Sequence, residues 1–137
     1  MIDHIGMPVS NIARATEFYL KALAPLGIAI GMEVSAEETG HGAAVGFGAA
    51  GKPFFWIGEG FRPSGDHHIH VAFAAASRAA VDAFYAAAIA AGARDNGPPG
   101  LRPHYHANYY GAFVLDADGN NIEAVCHSPA SAQAATR

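Results

Sequence analysis

The chain has 137 residues, which is the size of one ordinary domain and too short for two full-sized ones. Hydrophobic residues make up 51% and charged residues 15%, a balance that provides a substantial core and excludes a disordered chain. The formal net charge is −4 and the 8 Lys and Arg residues form no cluster, which argues against nucleic-acid binding. There is neither a membrane-span pattern nor the basic start of a signal peptide, and Cys126 stands alone, so we expect a cytoplasmic protein.

The first segment, DHIGMPVSNIARATEFYLKALAPLGI from Asp3, predicts a strand followed by a helix. Apolar residues alternate with small or polar ones at its start, which puts His4 on the strand face opposite the apolar side chains. Ser10 or Asn11 can cap the helix, and Gly27 ends it.

The second segment, IHVAFAAASRAAVDAFYAAAIAAGAR from Ile69, repeats the first. His70 takes the place of His4, again on the face opposite the apolar side chains of its strand. Ser77 caps the second helix and Gly92 ends it.

Further strands are predicted in each half, with turn signals between them. They lie at 42–47 and 53–57 in the first half and at 109–115 and 121–127 in the second. The DADGN sequence at 116–120 is a strong hairpin signal, and GAAGK at 48–52 is its counterpart. A linker is predicted at 60–66 and a loop at 95–102. The fold is therefore α+β, with two tandem β-α-β-β-β modules at 1–60 and 61–127 whose sheets curve around a shared cavity, and with a flexible tail at 128–137.

On these segments and on the terminal DADGNNIEAV hairpin, the chain resembles the vicinal oxygen chelate superfamily. This superfamily includes glyoxalase I, bleomycin and fosfomycin resistance proteins and extradiol dioxygenases. The resemblance covers residues 2 to 127. It implies a single-domain cup of two modules around a divalent metal ion.

The resemblance implies that His4, His70 and Glu123 bind this metal, because family members take their ligands from the first and last strands of the modules. The residues themselves agree, since a carboxylate in the apolar strand that contains Glu123 is costly to bury without a cation. Imidazoles and a carboxylate suit Fe(II), Mn(II), Zn(II) or Ni(II). The alternative is that the histidines are ordinary exposed residues and Glu123 is an acid on an edge strand.

An alignment of the two turn sequences places Phe55 at the position of Glu123, where many family members have a fourth ligand. The remaining set of two histidines and one carboxylate resembles that of extradiol dioxygenases more than that of glyoxalase I. Three ligands also leave open positions on the metal, as in catalytic sites.

The segment PHYHANYY, upstream of the last hairpin, supplies candidates for proton transfer. Histidine carries protons near neutral pH, and a tyrosine beside it can assist. The candidate catalytic residues are His106, His104 and Tyr110. The candidate substrate-binding residues are Phe55, Trp56, Tyr109 and His68, the first three as an aromatic wall and the last because it shares the strand face of His70.

The sequence thus predicts a metal-dependent enzyme that acts on a small, hydrophobic or aromatic, oxygen-bearing substrate, with dioxygenase-like chemistry favoured. The alternatives are a glyoxalase-like lyase or isomerase and a metal-free, ligand-sequestering protein like the bleomycin resistance proteins. We expect a homodimer, because paired modules expose sheet edges. The sequence leaves open whether the metal ligands come from one chain or two.

Overall fold

Both helix caps form as predicted in the computed structural model, which describes residues 1–60 and 68–130. Asn11, one of the two candidates, accepts the backbone N–H of Arg14 at 3.0 Å. Ser77 accepts the N–H of Ala80 at the same distance. Each cap satisfies a backbone donor that the first turn of a helix leaves without a partner.

The chain divides into two compact units, Met1–His67 and His68–Arg137. The linker predicted at 60–66 and the tail predicted at 128–137 lie largely outside the described residues. No helix among the described residues is both long and apolar enough to cross a bilayer.

The first unit contains a four-stranded sheet in the order β1-β4-β3-β2, in which β1 and β4 are parallel. Its elements are β1 (Ile5–Pro8), α1 (Ile12–Leu23), a 3₁₀ turn (Ala24–Leu26), β2 (Ala29–Val34), α2 (Ala36–Thr39), β3 (Ala44–Ala49) and β4 (Lys52–Gly58). The sequence analysis located neither β2 nor α2. Strand β2 lies at the sheet edge and is largely exposed on both faces, so it lacks the alternation that marks a half-buried strand.

The second unit repeats this plan with a sheet in the order β5-β9-β8-β6, and a further short strand, β7, pairs with β8. Its elements are β5 (His70–Ala74), α3 (Arg78–Ala90), β6 (Arg94–Asp95), β7 (Gly100–Leu101), β8 (Tyr110–Leu115) and β9 (Asn121–Cys126). The loop predicted at 95–102 therefore holds strand residues at both of its ends. The helices and the mixed sheets match the predicted α+β class.

In each unit the helix covers one face of the sheet. Tyr19 of α1 packs edge-on against Phe55 of β4, and Phe84 of α3 is fully buried in the unit that contains β8 and β9. Because strand side chains alternate between faces, His70 at the start of β5 belongs to the uncovered face, and His4 lies directly before β1. Both His4 and His70 are exposed.

The hairpin at 116–120 leads into the start of β9, the strand that contains Glu123. The carboxylate of Asp116 accepts the N–H groups of Asp118 and Asn120, each at 2.9 Å, and Gly119 has φ +83°. The side chain of Asn120 in turn accepts the N–H of Ile69 at 3.0 Å. The D-x-D-G-N sequence therefore ties the turn before β9 to the start of β5.

Candidate functional site

His70 and Glu123 form the centre of the candidate site in the second unit. Strands β5 and β9 pair in parallel with His70 opposite Asn121 and Ala72 opposite Glu123, so the imidazole and the carboxylate share the face away from α3. The Nε2 atom of His70 lies 3.1 Å from Oε1 of Glu123. The imidazole is 49% exposed and the carboxylate 2%, so one edge of the pair opens to solvent.

The other ring nitrogen of His70 also faces an oxygen atom. Nδ1 lies 3.1 Å from the carbonyl oxygen of Asn121, which only accepts, so a neutral imidazole that keeps this hydrogen bond carries its proton on Nδ1. In that tautomer, Nε2 and the facing oxygen of Glu123 are both lone-pair atoms. A positive charge between them, either a second ring proton or a metal cation, removes their repulsion.

The second oxygen of Glu123 accepts a hydrogen bond from Tyr109. Its phenol O–H donates to Oε2, and burial, followed by this hydrogen bond, raises the pKa of Tyr109. Gly111 makes the contact possible, because a Cβ atom at this position would lie 3.2 Å from both Oε2 of Glu123 and Cε1 of Tyr109. The sequence analysis assigned Tyr109 to substrate binding and missed both this hydrogen bond and the role of Gly111. The Tyr-x-Gly spacing at 109–111, where β8 begins, is the signal that could have indicated them.

In the first unit, His4 is oriented by a residue that the sequence analysis did not single out. Nδ1 of His4 lies 2.7 Å from Oδ1 of Asp3, whose other oxygen pairs with Nζ of Lys52 at 2.5 Å. The hydrogen bond from Lys52, and then the one from His4, lowers the pKa of Asp3. In the neutral imidazole the Nδ1 proton is donated to Asp3, so His4 has the same tautomer as His70, with Nε2 as its lone-pair nitrogen.

The strand register corrects the alignment that placed Phe55 at the position of Glu123. Phe55 pairs with Ile5 and is 1% exposed against α1, whereas Trp56 pairs with Gly6 on the other face. The shift arises from a bulge at Phe54. Gly48 pairs with Pro53 and Phe47 pairs with Phe55, so Phe54 is not paired with a residue of β3. Phe55 is therefore a core residue, and Trp56 takes the position that corresponds to Glu123.

The indole of Trp56 lies flat over a glycine. A Cβ atom at Gly46, which pairs with Trp56 across the sheet, would lie 2.8 Å from Cε2 and Cζ2 of the ring. Trp56 is therefore the member of the predicted aromatic wall that lies on the sheet face away from α1.

The candidate proton carriers have other partners. His106 accepts the N–H of Asn108 at Nδ1 (3.1 Å), so its Nε2–H donates to Nδ1 of His127 at 2.8 Å. The His106 ring also meets the Tyr109 ring edge-on, with their centroids 5.5 Å apart. His104 packs on Tyr105, with a centroid distance of 4.2 Å.

Tyr110 and His68 have contacts elsewhere in the second unit. The phenol of Tyr110 donates to Oδ1 of Asp82 on α3 at 2.6 Å, on the other face of β8, and burial together with this bond raises the pKa of Tyr110 to about 12. His68 lies against the hairpin, where a Cβ atom at Gly119 would be 2.9 Å from its Nε2. Within residues 1–60 and 68–130, no three His, Cys, Asp or Glu side chains are grouped so that they could hold a metal ion.

A profile of the Glyoxalase/Bleomycin resistance protein/Dioxygenase superfamily matches residues 1–124. The chain belongs to this superfamily. A glyoxalase/bleomycin resistance protein from Albidiferax ferrireducens has a similar structure, at 28% identity and a TM-score of 0.70 over 92% of this chain and 98% of that chain. No curated protein sequence matches significantly.

Two more distant superfamily structures share the fold. A glyoxalase I mutant from Zea mays has 19% identity and a TM-score of 0.70, over 90% of this chain but 46% of that chain. A mutant of the fosfomycin resistance protein FosX from Listeria monocytogenes, complexed with Mn(II) and 1S,2S-dihydroxypropylphosphonic acid, has 18% identity and a TM-score of 0.64, over 91% and 88% of the two chains. This fold therefore also occurs in a protein that was complexed with a divalent metal ion.

Proposed function

We propose that the chain is a metal-dependent enzyme in which His70 and Glu123 bind a divalent ion. The described residues of one chain group no third ligand with this pair, so we propose that His4, of the same chain or of a second copy, completes the site when the metal binds. The observation that supports this most directly is the pair of lone-pair atoms, Nε2 and Oε1, 3.1 Å apart at an edge open to solvent. When two ligand atoms each lie about 2.1 Å from an ion and the ligand–ion–ligand angle is a right angle, the two ligand atoms are about 3.0 Å apart. The pair therefore suits a shared cation without rearrangement.

The surroundings of both histidines also fit ligation. Metal-binding histidines donate their other ring proton to a carboxylate or a backbone carbonyl, which fixes the ring and raises its basicity. Asp3 provides this acceptor for His4, and the carbonyl of Asn121 provides it for His70. The Mn(II) bound by FosX makes manganese a suitable first probe. The ligands would come from one chain or from two chains of a homodimer.

The substrate is proposed to be a small molecule with neighbouring oxygen atoms and an aromatic or hydrophobic body. A divalent ion held here would act as a Lewis acid that stabilises negative charge on the substrate oxygens. Trp56 would stack on the body of the substrate, and His106, coupled to His127, would move protons, with His104 as the alternative. Dioxygenase-like chemistry is favoured over glyoxalase I chemistry because an indole, which cannot ligate, takes the position of Glu123 in the first unit.

The direct test is a titration of the untagged protein with Mn(II), in which free Mn(II) is followed by electron paramagnetic resonance. We expect one ion to bind per His70–Glu123 pair and Glu123→Gln to abolish the binding. Glu17→Gln is the matched control, because Glu17 is an exposed acid on α1 paired with Lys21. Binding that is absent in the wild type, or unchanged by Glu123→Gln, would refute the metal site and favour metal-free sequestration.

The reaction class and the oligomeric state need separate measurements. In air-saturated buffer, with dioxygen as the oxidant that supplies both added oxygen atoms, Fe(II)-loaded protein is expected to cleave a catechol and give a new visible absorbance from the ring-opened product. It is expected to leave the hemithioacetal of methylglyoxal unchanged. The opposite result would support the glyoxalase-like alternative. Light scattering after gel filtration is expected to give the mass of two chains.

A further inference from the structure

Glu123 is held at both of its oxygens, and the two contacts differ in kind. Oε1 faces the exposed imidazole of His70 at 3.1 Å, whereas Oε2 accepts the phenol proton of Tyr109. The residue is 1% exposed, so the orientation of the carboxylate is fixed by these partners rather than by solvent. The oxygen toward His70 lies beside a side chain that is 49% exposed.

The residues where β8 begins determine which atoms the phenol of Tyr109 can contact. Tyr109 and Gly111 are two residues apart and lie on the same face, and Gly111 pairs with Val125 of β9. Because Gly111 has no side chain, the phenol crosses its position and reaches the carboxylate on the neighbouring strand. A methyl group at Gly111 would press on both the ring and Oε2, at 3.2 Å from each. This distance is closer than an ordinary van der Waals contact, so one of the two groups would have to move.

Other rings hold the phenol in this direction. The ring of Tyr109 lies 4.8 Å from that of Tyr105, 5.3 Å from that of His127 and 5.5 Å from that of His106, measured between centroids. The last two contacts are edge-to-face, a favourable arrangement for aromatic rings. The orientation of the hydroxyl is therefore set before any ligand arrives.

We propose that Tyr109, given room by Gly111, is a positioning residue that restricts Glu123 to ligation through a single oxygen, Oε1. This inference rests on the proposed metal site. A carboxylate whose second oxygen accepts a hydrogen bond is fixed as a ligand, and loss of such a partner costs metal affinity. The position that the second oxygen would otherwise occupy stays available to an oxygen atom of the substrate.

The test compares Tyr109→Phe with Tyr110→Phe in the full chain. Tyr110→Phe is a matched control because it removes the same hydroxyl, also bonded to a carboxylate, from the next residue and on the opposite face. We expect Tyr109→Phe to raise the dissociation constant for Mn(II) about 10-fold to 100-fold. We also expect it to change the visible spectrum of bound Co(II), because the freed oxygen alters the number of ligand atoms. Tyr110→Phe is expected to change neither.

Gly111→Ala provides a second route to the same result, because it keeps the phenol but displaces it from Oε2. We expect it to alter the Co(II) spectrum in the direction of Tyr109→Phe. Thermal unfolding of each variant confirms that the protein measured is folded. If wild-type protein binds metal through Glu123, but Tyr109→Phe and Gly111→Ala keep its affinity and spectrum, the positioning role is refuted while the metal site stands. Equal losses in Tyr110→Phe would also refute it.

Discussion

The metal-free protein should be destabilised by loss of the Tyr109 hydroxyl alone and restored by loss of the hydroxyl and the carboxylate together. Tyr109→Phe leaves Oε2 of a residue that is 1% exposed without its donor. An unsatisfied buried acceptor costs about 1–3 kcal/mol. For a chain of this length, this cost corresponds to a fall of roughly 3–10 °C in the unfolding midpoint.

The double variant Glu123→Met with Tyr109→Phe removes both partners and fills the space with apolar atoms. Replacement of a buried charge and its partners by hydrophobic groups of similar volume is often neutral or stabilising by about 1–4 kcal/mol. The extra atoms of methionine can extend toward the open edge near His70, which limits overpacking. We therefore expect the double variant to equal or exceed the wild type in free energy of unfolding.

The assay is urea unfolding followed by far-UV circular dichroism in the presence of EDTA, with both single variants completing the double-mutant cycle. In a parallel series without EDTA, free Mn(II) at about 100 times its dissociation constant should stabilise the wild type by about 2.7 kcal/mol and leave the double variant unchanged. A double variant less stable than Tyr109→Phe would refute the reasoning. That result would mean that the carboxylate stabilises the fold by more than its burial costs.

Three further predictions concern the remaining contacts. Asp3→Ala should weaken Mn(II) binding about 10-fold, because His4 loses the acceptor that orients its ring, and an unchanged titration would argue against His4 as a ligand. Trp56 is the single tryptophan, so its fluorescence should be quenched by a catechol and not by an aliphatic diol, and Gly46→Ala should shift its emission by displacing the indole. Tyr110 ionises at about pH 12 in the folded chain and at about 10 when unfolded, so the unfolded chain releases its proton first as the pH rises. The contribution of Tyr110 to stability should therefore be constant up to about pH 10 and fall from there to about 12, and Tyr110→Phe should remove this part of the fall in urea titrations.

The sequence alone predicted the features that depend on neighbouring residues and on periodicity. The caps at Asn11 and Ser77 and the turn at 116–120 satisfy backbone groups within a few residues, so their signals are local. The repeat predicted equivalent places for His4 and His70, and the structure has His4 directly before β1 and His70 at the start of β5. The α+β fold class and the resemblance to the superfamily followed from these observations.

Tertiary structure decided which atoms meet. The bulge at Phe54 moved Trp56, rather than Phe55, to the position of Glu123, because one extra residue changes the face of every residue after it. The contact between Tyr109 and Glu123 depends on the pairing of β8 with β9 and on the space above Gly111, neither of which any local pattern contains. Periodicity assigns a residue to a face of a sheet, but the distance between two side chains on that face is set by strand register and by the volume that neighbouring residues leave free.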